Sequence, residues 1–263
     1  MFIAVAAMAL LSLHGCGTMA DNRRWGEDAT LRPGSDALCS SFMNAVSSPY
    51  VLIPAAGALA LQVGGMDERL SSWAIRHTPT TGSTAQAERL SSDLRSVCFA
   101  SFLTSMVFTP SGNDPGQWIA SKAKGAAVQG SAAAINNETI TLLKKASGRK
   151  RPDGGDDKSF PSGHAGNSAL FASLAVRNVN VMNMPSTAKT SLDVMLHALM
   201  FTVAWERVEA GVHYPSDVLA GIAIGYFIGP FINDSFMGME EQELKPVLST
   251  SPDGLFMGFQ KRF

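Results

Sequence analysis

The run Val218 to Ile232 limits what this 263-residue chain can fold into. Its 15 residues are apolar or small throughout, with Gly221, Gly225 and Gly229 four apart and Pro230 near the end. A helix with a small residue every four positions presents a flat stripe against which a second helix packs closely. The run is shorter than the roughly 17 to 25 apolar residues that a membrane span requires, so it reads as a buried core helix. Six further apolar segments precede it: Ala37 to Val46, Pro54 to Val63, Leu90 to Phe108, Trp118 to Leu143, Ala165 to Val176 and Leu192 to Val208. Most are rich in Ala, Leu and Met with few β-branched runs, which favours helix over strand. The expected fold class is all-α, a helical bundle.

Charge narrows the function classes. Only 16% of residues are charged, against roughly 25% in an average soluble domain. With 21 basic and 22 acidic residues the net charge is -1, so no field gathers a polyanion and no nucleic-acid partner is expected. Residues 2–13 are almost wholly apolar and of signal-peptide length,. Leu13-His14-Gly15-Cys16 follows them and resembles a bacterial lipobox, so 1–15 reads as a lipoprotein signal and Cys16 as the lipidated residue. Gly17 after it points to the outer membrane, hence to a periplasm-facing protein of the bacterial envelope tethered by an N-terminal lipid anchor. Residues 16–36 read as a linker, 37–238 as the helical domain and 239–263 as a tail. In the tail, Leu255, Met257, Phe259 and Phe263 alternate as in a strand,. Cys39 and Cys98 could form a disulfide in an oxidising compartment or be two separate thiols on packed helices.

Three clusters between 144 and 217 carry chemistry. Lys144 is followed seven residues later by Arg151-Pro152; Pro161-Ser162-Gly163-His164 comes next; Arg207 is followed by His213 and Asp217. A phosphate ester carries up to two negative charges, which Arg forks match bidentately and Lys meets as a point charge. Lys144, Arg151 and Arg207 fit that task. Pro161 ends a loop just before apolar periodicity resumes, so Ser162 to His164 should open a helix whose free N–H groups face an anion. Ser162 adds a hydroxyl, and Gly163 lets the backbone come close. His213 stands two residues before Pro215, where the last long helix should begin, and Asp217 falls in its first turn. From there Asp217 can hydrogen-bond one ring nitrogen of His213 and leave the other free to attack phosphorus. His164 would protonate the leaving alcohol and then activate water, which makes the rate bell-shaped in pH.

Together the segments KKASGRKRP, PSGH and ERVEAGVHYPSD resemble the three-part signature of the type 2 phosphatidic acid phosphatase superfamily, which includes bacterial acid phosphatases and vanadium haloperoxidases. Ten specified residues with free gaps should arise by chance in roughly one chain per million. The resemblance implies that superfamily's helical bundle and a phosphatase acting on phosphate monoesters or lipid (di)phosphates. It also implies a phosphohistidine on His213, with Asp217 as its orienter and His164 as acid and base, and no metal or cofactor. Glu206 departs from the pattern, standing where a Ser is usual; an ionised carboxylate accepts but cannot donate a hydrogen bond,.

Other readings fill in the remainder. Lys145, Arg149 and Lys150 are expected on the surface, and Asp153, Asp156 and Asp157 in a Gly-rich acidic loop. No HExxH or CxxC pattern calls for a metal. A vanadate-dependent haloperoxidase and an inactive anchored binding lipoprotein are the rival functions.

Overall fold

The computed structural model describes residues 15–238 and the backbone of two strands in the tail. Its described residues form eight α-helices: α1 (Ser35–Ser47), α2 (Pro49–Leu61), α3 (Met66–His77), α4 (Thr84–Phe108), α5 (Pro115–Ser147), α6 (Gly163–Val181), α7 (Ser186–Glu209) and α8 (Pro215–Phe236). The chain is the all-α bundle that its composition implies. All seven apolar segments fall on helices, the second running into a 3-10 turn at Val63–Gly65. Only α3 escapes the apolar pattern, because its sequence is polar and it buries Asp67, Ser71 and Ala74 alone.

Short polar side chains start the helices. Ser48, Ser83 and Asp114 accept the backbone N–H of Tyr50, Gln86 and Gln117 at 3.3, 3.3 and 2.9 Å, meeting donors that a helix leaves unpaired in its first turn. Pro49, Pro115 and Pro215 each open a helix, where a missing N–H costs nothing.

The centre is α6 against α8. α6 is buried along nearly its whole length, and the glycine stripe of α8 faces it. A Cβ at Gly225 would lie 2.2 Å from the carbonyl oxygen of Gly166, so no larger residue lets these helices approach as they do. By length and composition α8 could cross a membrane, and α1 with α2 pass the same test as a pair bent by 48°. Within α8, 67% of the apolar window is buried inside the bundle, as expected of a core helix.

Residues 16–36, expected as a linker, fold onto the body. Trp25 is fully buried, its backbone N–H bonds the Pro110 carbonyl at 2.8 Å, and a Cβ at Gly125 would stand 2.3 Å from its ring. Cys16 and Cys39 are exposed free thiols, and Cys98 is a buried one. In the tail, β1 (Leu244–Ser251) and β2 (Gly254–Lys261) form an antiparallel hairpin. β2 is the strand that alternation implies; β1 went unread, although Pro252-Asp253-Gly254 between them is a turn signature,. Phe263 and residues 1–14 of the signal segment lie outside the described residues.

Candidate active site

The three clusters converge at one pole of the bundle, where α5 and α7 end and α6 and α8 begin. Ser162 is the N-cap of α6: its backbone N–H bonds the Asp217 carbonyl at 2.9 Å, and its hydroxyl faces the Ala165 N–H at 3.5 Å. Asp217 sits in the first turn of α8 and accepts the Tyr214 N–H at 2.8 Å. That bond ties the 210–214 turn, and with it His213, to the start of α8. The N–H groups of Gly163 and His164 have no acceptor within their helix, which leaves them for an anion. Lys144 approaches from the end of α5, its Cε 3.9 Å from where a Gly163 Cβ would stand. Its ammonium donates to the Lys158 carbonyl. Arg151 holds Asp156 through Nε at 2.6 Å, and its charge acts on Lys144. Arg207 is buried, and its guanidinium donates to Ser91 Oγ at 3.0 Å.

His213 is buried, and its Nδ1 lies 2.6 Å from the Ser159 carbonyl oxygen. A carbonyl only accepts, so Nδ1 carries the proton and Nε2 keeps a free lone pair. The direct bond expected from Asp217 is replaced by this one: Asp217 Oδ2 stands 3.8 Å from Nδ1. That carboxylate instead accepts the Ser159 hydroxyl at 2.5 Å, so it positions the residue whose carbonyl orients the imidazole.

Arg149, expected on the surface, is the principal correction. Its guanidinium donates to Asp217 Oδ1 at 2.6 Å, to Ser216 Oγ at 2.8 Å and to Asp67 Oδ2 at 2.7 Å. Asp67 in turn accepts the Ser216 N–H at 2.9 Å, capping α8 from α3. Lys145 and Lys150 are exposed as expected. The sequence gives no local sign of the Arg149 role, because its partners lie 82 and 68 residues away.

Burial and mutual repulsion set the protonation of the pole. Burial, with the Arg151 charge, lowers Lys144 to about 8. Burial and then the Arg207 and Arg95 charges lower His164 to about 3, and burial lowers His213 to about 4. Burial works against the Asp217 carboxylate too, but the donors around it hold its pKa below the usual range. His164 is therefore neutral at pH 7, and an anion bound beside it would raise its pKa,. Glu206 is fully buried with neither oxygen hydrogen-bonded, and burial followed by the Glu209 charge raises it to about 7. Below that pH it is a carboxylic acid, able to donate as a hydroxyl does.

Comparison with known proteins points to the same stretch of chain. A family model described as the PAP2 superfamily matches residues 138–237, which hold all three clusters. A decaprenylphosphoryl-5-phosphoribose phosphatase of Mycobacterium tuberculosis is 30% identical over 127 residues, covering 45% of this chain and 64% of that protein. A lipid A 1-phosphatase of Rhizobium etli is 35% identical over 100 residues, covering 32% of this chain and 38% of that protein. The chain thus spans less than two thirds of the length of either relative. A transmembrane PAP2-type phosphatidylglycerolphosphate phosphatase from Bacillus subtilis shares the fold, with a TM-score of 0.50 and 23% identity over 74% of this chain and 94% of that one.

Proposed function

We propose, from the match of residues 138–237 to the PAP2 superfamily, that the chain is a phosphoric ester hydrolase of that superfamily, metal-independent and working in two steps through His213. The observation that carries this reading is the free Nε2 of a buried, oriented His213 beside Lys144, Arg207 and the open N-terminus of α6. Lys144, Arg151, Arg207, Ser162 and the Gly163 and His164 N–H groups bind the phosphate oxygens. Nε2 forms a bond to phosphorus as the ester P–O bond breaks, and the leaving oxygen takes the His164 proton. Neutral His164 then draws a proton from water, which cleaves the P–N bond and releases phosphate.

The substrate we propose is a phosphate carried by a lipid. Val51, Ile135, Thr139, Ala223, Ile224, Phe227, Ile228, Phe231 and Ile232 line an apolar groove of about 410 Å³. It begins about 10 Å along α8 from Asp217 and under 10 Å along α5 from Lys144, within reach of an alkyl chain whose headgroup occupies the site. Both relatives are named for phosphates on lipids, which supports the same reading. A panel of soluble esters and lipid phosphates in detergent tests it: kcat/KM should be higher for the lipid phosphates. Preference for soluble esters would overturn the lipid assignment, and no phosphate release from any member would favour an inactive binding protein.

The Lys144 charge sets an alkaline limit. The residue is charged below about 8, so its attraction for phosphate is lost as pH rises through that value. kcat/KM, which reports the free enzyme, should fall on that limb. Lys144→Arg stays charged and should move the limb upward by at least about one pH unit, as a pH series of initial rates would reveal.

The N-terminal anchor is a further part of the proposal. Cys16 is exposed and adjoins Gly17, whose carbonyl accepts the Gly112 N–H at 2.7 Å just ahead of α5. Pro115 at the start of α5 and Lys144 lie roughly 40 Å apart along that helix,, so a lipid on Cys16 would sit at the pole opposite the site. Cys16→Ser should abolish incorporation of radiolabelled palmitate while phosphate release in detergent stays within about 2-fold of the original.

A further inference from the structure

One stripe of α4 faces the phosphate pole. Glu88, Ser91, Ser92 and Arg95 are spaced i, i+3, i+4 and i+7, on one side of the helix,. Ser91 Oγ accepts from Arg207, and Ser92 Oγ lies 3.4 Å from His164 Nε2. Arg95 is the next residue on this stripe, outside all three sequence clusters. It is half-buried, its Nε is shielded from solvent with no acceptor, and among the described residues it makes no hydrogen bond or ion pair. Its charge reaches both His164 and Arg207. An unpaired cation added to a group of cations is costly unless an anion joins them.

The oxygens of the reacting phosphate already have Lys144, Arg151, Arg207 and the α6 N–H groups. Arg95 stands beside His164, the group that serves the leaving oxygen. We propose that Arg95 is a specificity-determining residue that binds negative charge on the leaving group, favouring diphosphate esters, whose leaving group is itself a phosphate. The inference rests on the hydrolase reading above. In the reaction it describes, His213 Nε2 bonds to the terminal phosphorus and the bridging P–O bond breaks. Its electron pair leaves with the organic monophosphate, whose charge Arg95 meets. Water then cleaves the phosphohistidine, so one diphosphate ester and one water yield one monophosphate ester and inorganic phosphate. A phosphate leaves far more readily than an alkoxide, so Arg95 takes over part of the work that the His164 proton does for a simple ester.

The test uses an isoprenyl monophosphate and the matching diphosphate in detergent, with the original protein, Arg95→Gln and Arg95→Lys. Arg95→Gln should lower kcat/KM for the diphosphate roughly 10- to 100-fold, the range for losing a hydrogen bond between charged groups. The monophosphate should change by less than about 3-fold, and Arg95→Lys should recover part of the loss. Arg95→Met, which keeps the packing of the apolar stem, replaces the Gln variant if that one does not fold. Equal losses on both substrates, or no loss on either, would overturn the inference and leave the hydrolase standing. Hydrolysis of the monophosphate alone by the original protein would do the same. Failure of the original protein to hydrolyse either substrate would overturn both readings.

Discussion

Replacing His213 by alanine is expected to lower phosphate release by roughly 10⁴-fold or more while leaving the bundle folded. The side chain is buried at the pole, and its one hydrogen bond among the described residues runs to the Ser159 carbonyl. Losing that bond costs about 1 kcal/mol, which the packing of α6 on α8 absorbs. No neighbour can replace the nucleophile, since Lys144 is held as a cation below about 8 and His164 faces Ser92. Quenching turnover in alkali should trap an acid-labile phosphoryl group on the original protein and none on His213→Ala. His164→Ala offers the complementary result. With p-nitrophenyl phosphate the leaving group needs little protonation, so the first step survives; water activation does not, and the phosphoryl adduct should accumulate. Retained turnover in His213→Ala would remove the two-step mechanism.

The convergence of the three clusters was legible because each cluster is local. A helix N-terminus, a proline that opens α8 and a Lys seven residues before an Arg are short-range features, and they stand in the sequence as they stand at the pole. The bundle was legible for a related reason: seven helices bury apolar faces, and their composition says so. α3 was not, because it contributes a carboxylate to α8 instead of an apolar face. The segment around Trp25 was hidden by its charged neighbours Arg23, Arg24, Glu27 and Asp28. These pair among themselves at the surface, while the indole between them enters the core. A tryptophan in a charged stretch was the available signal. The Asp217 to His213 distance was misjudged for want of Ser159, whose carbonyl competes for the same ring proton. Helical spacing alone cannot show a loop that folds between the two residues.

Arg149→Ala should cost about 3 to 5 kcal/mol of stability, more than any other substitution among the cations of the pole. Asp67 and Asp217 have side-chain exposures of 1% and 0%, whereas Arg149 retains 23%. Removing the guanidinium therefore leaves two carboxylates buried without their shared cation, and the penalty is that of uncompensated charge more than of lost contacts. The remaining donors, the Ser216 and Ser159 hydroxyls and two backbone N–H groups, are neutral and offset only part of it. Arg149→Lys should recover little, because one ammonium cannot span both carboxylates as the guanidinium fork does. Adding Asp67→Asn to Arg149→Ala should restore part of the loss, since one of the two uncompensated charges is then gone. Denaturant midpoints for the two singles and the double give the coupling. Additive losses would mean that the Arg149 and Asp67 pair contributes nothing beyond its separate contacts. Activity should fall with stability in the single variant, because a displaced Asp217 releases Ser159, and with it the carbonyl that orients the His213 ring.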